Sequence, residues 1–189
     1  IRPRGGDFLY TDLEFNLMKT DIKICKALNC DGVVIGILKA DGSIDIERCA
    51  ELIELASPMP VTFHRAFDMS NDLETSLEAI ISLGCERILT SGGESSAING
   101  ADKIAKLIKL AAGRIIIMPG AGVNTTNITE LIKTTGALEF HASAKYPAKS
   151  TMIFRNPRLN MGSTDDEFSY DLTDANMVKM LIELANKHH

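Results

Sequence analysis

The sequence predicts an α/β fold, a TIM-like (β/α)8 barrel that is incomplete at its amino end. Three observations carry that reading. Short apolar or β-branched runs recur at near-constant spacing, helix-patterned segments fill the gaps, and polar side chains alternate with apolar ones where two of the runs end. The runs are DGVVIG (31–36), PVTFHR (60–65), ERILTSG (86–92), RIIIMPG (114–120) and LEFHASA (138–144), with starts 29, 26, 28 and 24 residues apart. Strand, helix and strand repeated at that interval read as consecutive βα units of a parallel sheet.

Each element has its own justification. The run RIIIM is apolar on both faces, as a strand covered from both sides requires. In VTFHR, Val61 and Phe63 alternate with Thr62 and His64, and Glu139 and His141 alternate in the same way further on. An open doubly wound sheet would strand those polar groups under helices, whereas the interior of a barrel accepts them. Between the strands, IDIERCAELIELA (44–56) gathers Ile46, Cys49, Ala50, Leu52 and Ile53 on one side. The segments 73–84, 101–113 and 125–136 repeat that helical period. Asp72 and either Asn124 or Thr125 fit helix N-caps, while Gly84, Gly113 and Gly136 sit where C-caps belong. The stretch 171–187 reads as a closing helix that starts near Thr173 or Asp174. Residues 145–170, beginning KYPAKS, fold over the strand ends as a lid or pack as plain structure; the sequence leaves both open.

Five units follow the opening IRPR, which itself reads as the end of a further strand. The expectation is therefore one barrel domain over residues 1–189, with about six of eight βα units and an extension over 145–187. A complete barrel takes about 250 residues, so two amino-terminal units are expected to be absent.

Composition narrows the function. Hydrophobic residues make up 45% and charged residues 24%, as in an ordinary soluble domain. A net charge of −5 without a longer basic stretch argues against nucleic acid or an anionic membrane as partner. No apolar run approaches the roughly 20 residues of a membrane span, and no secretory leader is expected, although the chain opens on Ile1. Cys25, Cys30, Cys49 and Cys85 form no CxxC pair and no Cys–His cluster. They read as small buried hydrophobes in a reducing, cytoplasmic compartment. The terminal His188-His189, either a tag remnant or native, is set aside from the chemistry.

In parallel α/β folds ligands collect at the carboxyl ends of the strands. Those ends carry His64, Arg65 and Asp68, then Ser91, then Gly120 and Gly122, then His141 and Ser143, with Arg4 in the opening RPRGGDF. His64, His141 and Asp68 are candidate catalytic groups, imidazoles and a carboxylate able to move protons. Arg4 and Arg65 suit an anion clamp, and MPGAGVNTTN (118–127) suits a phosphate cradle built from backbone N–H groups, with Ser91 and Ser143 as further contacts. Arg65 and Asp68 also read as a structural ion pair, and the glycines as plain βα turns. No metal ligand set is assigned.

Taken together, RPRGGDFLY (2–10), DGVVIGIL (31–38), DGSID (41–45), VTFHRAFD (61–68), RILTSG (87–92), RIIIMPGAG (114–122) and EFHASA (139–144) resemble the CutC copper homeostasis family. The resemblance runs to about residue 180 and includes FRN (154–156) and MG (161–162). It implies a TIM-like barrel, a cytoplasmic location and a role in copper handling, with copper possible as the bound metal. The cysteine-bearing opening strands, where the family's copper binding has been placed, have no counterpart here, so copper ligands are not transferred to this chain. Two functions follow: a protein that binds or senses Cu(I), and a metal-independent barrel enzyme acting on a small anionic or phosphorylated metabolite. A homo-oligomer is expected in either case, because an incomplete barrel exposes strand edges.

Overall fold

The computed structural model describes residues 1–156, 158 and 168–187. Strands β1 (Val33–Ile35), β2 (Val61–Phe63), β3 (Arg87–Thr90) and β4 (Ile116–Pro119) form one parallel sheet in chain order. The register places Val34 beside Thr62, Thr62 beside Arg87 and Arg87 beside Ile116. Helices α1 (Asp12–Ala27), α2 (Ile46–Ala56), α3 (Leu73–Ser82), α4 (Ala101–Ala111) and α5 (Ile128–Thr135) alternate with them, and α6 (Ala175–Asn186) closes the chain. This is the expected α/β architecture of parallel βα units. The four strands leave the sheet open among the described residues.

The two faces of the sheet differ as the alternation requires. Ile35, Phe63 and Ile88 are wholly buried and Ile117 nearly so, under helices that contribute Met18, Ile22, Leu52, Leu77, Ile80, Ile104 and Leu131 to the same core. Each fully buried side chain of this size contributes about 2 kcal/mol. The opposite face carries Val34, Thr62, Arg87 and Ile116 in register, and Val34 at its edge is 41% exposed. His64 and Gly36 continue that face two residues beyond Thr62 and Val34.

Helix ends follow local chemistry. Thr11 and Glu14 form a capping box at α1, and the Asp72 carboxylate accepts from the Thr75 N–H at 2.7 Å at α3. Asp174 accepts from Asn176 and Met177 at the start of α6, as one of the two expected caps. α5 begins later than its pattern suggests. Asn124 accepts from the Thr126 N–H at 2.9 Å, and the resulting turn delays the helix to Ile128 with Asn127 as its cap. Gly136 is itself the left-handed C-cap of α5, whereas Gly84 and Gly113 lie one residue past the caps Leu83 and Ala112.

The fifth run departs from expectation. Residues 138–144 form no strand; their backbone link to the sheet is the His141 N–H donating to the Pro119 carbonyl at 2.9 Å. The chain is diverted at Ala144, where φ is +48° and the carbonyl accepts from the Asp174 N–H. It then enters β5 (Lys145–Lys149), which pairs antiparallel with β6 (Ser169–Thr173) in a separate hairpin. The expected extension over 145–187 therefore starts as a hairpin and ends in α6, which docks on the core through Leu181, Met177 and Leu184. The MG piece and His188-His189 lie outside the described residues. On α1, the side away from the core leaves Leu13, Leu17, Ile24 and Leu28 exposed in one stripe.

Candidate functional site

The amino-terminal loop lies over the carboxyl ends of β1 and β2. The Phe8 carbonyl accepts from the Leu38 N–H at 2.9 Å, and the Phe8 ring stands 5.0 Å from that of His64. The Arg2 guanidinium sits 4.6 Å over the Phe8 ring, and Arg48 donates to the Tyr10 carbonyl at 2.6 Å.

His64 leaves β2 with its N–H donating to the Ile35 carbonyl at 2.8 Å. Its Nδ1 accepts from the Ala66 N–H at 3.1 Å, so the neutral ring carries its proton on Nε2. That Nε2 is buried and has no partner among the described residues. Burial lowers the His64 pKa to about 4, with the positive charge of Arg2 acting in the same direction. At neutral pH the ring is therefore an uncharged donor. Gly36 makes room for it: a Cβ there would stand 2.5 Å from His64 Cε1 and Nδ1.

The Asp68 carboxylate is a knot. It accepts from Thr90 Oγ1 at 2.5 Å, from the Ser91 N–H at 3.0 Å, from the Gly93 N–H at 2.9 Å and from Arg65 Nε at 2.8 Å. Its side chain is 5% exposed. Arg65 also donates to Ser91 Oγ at 2.7 Å, and the Ser91 hydroxyl donates to the Glu94 carbonyl. Arg65, Asp68 and Ser91 are thus brought together, fastening the turn after β2 to the loop between β3 and α4. The Arg65 Nη1 takes no part in these bonds and the side chain is 41% exposed.

The other candidates stand apart. His141 is exposed and lies over Gly120, where a Cβ would come within 3.3 Å of the histidine's own. His141 follows β4, to which its N–H is bonded, so it lies on the far side of β3 and β4 from the β2 end that carries His64. Gly122 and Ser143 line a cavity of about 180 Å³ with Asn124, Thr125, Lys145 and Met177. Arg4 is held by Glu14 at 2.6 Å and Asp7 at 2.9 Å, with its guanidinium 5.2 Å from the Tyr10 ring.

The sequence reading placed Arg2 and Thr90 at the strand ends but passed over Tyr10 and Gly93. RPRGGDFLY signalled Tyr10, since an aromatic four residues past a Gly-Gly turn is free to return to the strand ends. Of the cysteines, Cys49 and Cys85 are buried as expected, but Cys25 is only partly covered and Cys30 is exposed. No group of three or more His, Cys, Asp or Glu side chains is placed to hold a metal ion among the described residues.

Comparison with known proteins bears on this geometry. The CutC family model matches residues 1–146. A "family protein CutC" of Parabacteroides distasonis is 52% identical over 184 residues, covering 96% of this chain and 76% of that protein. The "Copper homeostasis protein cutC homolog" of Mus musculus is 48% identical, over 98% of this chain and 69% of its own. The crystal structure of the putative copper homeostasis protein CutC from Streptococcus agalactiae superposes with a TM-score of 0.72 at 36% identity, over 75% of this chain and 69% of that one. The chain belongs to the CutC family.

Proposed function

We propose that the chain is cytoplasmic and acts in copper homeostasis, the latter being the role for which its mouse relative is named, through a small-anion site at the carboxyl ends of its strands. One observation supports the site above others: His64 presents a buried, uncharged Nε2–H with no acceptor among the described residues. A buried donor left unpaired costs about 1–3 kcal/mol, a cost an entering acceptor removes. Arg65, whose Nη1 takes no hydrogen bond among the described residues, suits the role of anion clamp in the next position. In an enzymatic version of this reading, His64 stabilises negative charge developing on a ligand oxygen and the exposed His141 exchanges protons with solvent. Calorimetric titration with inorganic phosphate tests the site: saturable binding that His64→Gln abolishes supports it, and heat unchanged by that substitution overturns it.

A second reading, direct binding of Cu(I), has one observation in its favour. Cys25 and Cys30 are neighbours, the Cys30 N–H donating to the Cys25 carbonyl at 3.0 Å. Cu(I) takes soft thiolate ligands, and two suffice for a linear site. Competition with a chromophoric Cu(I) chelator decides: one equivalent bound by the protein and none by a Cys25→Ser, Cys30→Ser double variant supports the reading.

We infer further that the exposed α1 stripe seats a second copy of the chain. A two-fold axis across the helix would lay Leu13 and Leu17 of one copy against Ile24 and Leu28 of the other.

A further inference from the structure

Two buried side-chain polar atoms lack a partner among the described residues: His64 Nε2 and the Tyr10 hydroxyl. Native structures leave few such groups, and each calls for a bound species or a role. Both belong to one neighbourhood. Phe8 packs on His64 with ring centroids 5.0 Å apart, Arg2 covers Phe8 at 4.6 Å, and the Arg2 charge acts on the Tyr10 phenol as well as on His64.

We propose that Tyr10 and Arg2 complete the His64 site, so that one ligand oxyanion, of a carboxylate or a phosphate, accepts from His64 Nε2–H and Tyr10 O–H beside the Arg2 guanidinium. The inference rests on the small-anion reading of His64 and adds two residues and a ligand chemistry to it. Each donor's protonation state is fixed for that task. Nδ1 of His64 is occupied by the Ala66 N–H, which leaves Nε2 as the donor. Tyr10 is 3% exposed and burial raises its phenol pKa, so it keeps its proton. Two neutral donors and a cation favour an acceptor-only, negatively charged group and disfavour a cation or an amine. Arg2 is partly committed, since it donates to the Gly6 carbonyl and reaches the Tyr10 oxygen as a donor, which leaves the phenol O–H itself to give to a ligand; its guanidinium carries further N–H groups. The His64 ring is only partly buried and Tyr10 almost wholly so, which makes the His64 side the more accessible to a ligand.

The test is NMR of the whole chain carrying 15N-histidine and 13Cζ-tyrosine, titrated in parallel with inorganic phosphate and with acetate. The expected result is that His64 Nε2 and Tyr10 Cζ shift with one midpoint, in whichever arm saturates. Tyr10→Phe, which keeps the ring and its packing, weakens that binding about tenfold, the loss of roughly 1.4 kcal/mol expected for one hydrogen bond. Arg2→Gln weakens it and flattens its salt dependence. If His64 responds while the Tyr10 signal stays fixed and Tyr10→Phe binds equally, this inference fails and the His64 site stands. If neither anion moves His64, both fall.

Discussion

Gly36 and His64 fit against each other with no room for a single added carbon: a Cβ on Gly36 would lie 2.5 Å from two atoms of the imidazole. Gly36→Ala therefore forces the ring out of its place. The expected cost is about 2 kcal/mol, in the range for overpacking, read as a lower urea midpoint. The histidine's Nε2 signal should also change. An alanine variant as stable as the parent with an unmoved signal contradicts the contact.

The pH dependence of stability follows from the same ring. The His64 pKa is lowered from 6.5 to about 4 on folding. Above pH 6.5 the ring is neutral in both states, and the folded chain carries no penalty. Between pH 6.5 and 4 the unfolded chain takes up a proton that the folded one refuses, so stability falls across that window by roughly 3 kcal/mol and levels off below it. Urea unfolding from pH 7 to 4 should show this slope, and His64→Gln should remove its share.

Asp68 is predicted to matter for stability first. Asp68→Ala removes the acceptor of Thr90, Ser91, Gly93 and Arg65 together. Loss of one member of a buried pair costs 3–5 kcal/mol, and the 41% exposure of Arg65 brings the expectation down to about 2–3 kcal/mol. Thermal melts measure it. A change below 0.5 kcal/mol would show that the knot holds nothing.

Thiol reactivity should sort by burial. Cys49 and Cys85 are buried, and desolvation pushes both thiols up to about 12. Native-state alkylation followed by peptide mass spectrometry should label Cys30 first and leave Cys49 and Cys85 untouched until denaturant is added. Early labelling of Cys49 would place it at the surface.

Self-association is predicted along α1. Sedimentation velocity should show a concentration-dependent species that Leu17→Glu eliminates, since Leu17 sits midway along the exposed stripe. A variant that associates as the parent does moves the interface elsewhere.

Much of the sheet was legible because its signals are local. Alternation in VTFHR and the apolar run RIIIM are decided within a few residues, and Asp72 and Asp174 cap the next turn by direct reach. The fate of LEFHASA was not legible. It carries strand chemistry, yet its pairing depends on β4 on one side and on a carbonyl bond from Asp174 thirty residues later. The hairpin of Lys145–Lys149 was not legible within 145–170, left open between lid and plain structure, because Pro147 opposes a strand and the partner strand lies beyond residue 168. At the site, the residue types at the strand ends were visible, but their bonds were not. Whether Asp68 meets Arg65 alone or also three groups from the next loop depends on how the β2 and β3 ends register.

The carboxylate that joins the turn after β2 to the loop before α4 also sets how the mouth can move. Two segments riveted at one point cannot swing independently, so neither can serve as a door. Traffic to the proposed site at His64 would then be governed from the amino-terminal side, where the loop bearing Phe8 reaches the sheet through a backbone bond at Leu38. Shortening or stiffening that loop would alter the rate at which a guest arrives and departs, with little change in how the walls hold it.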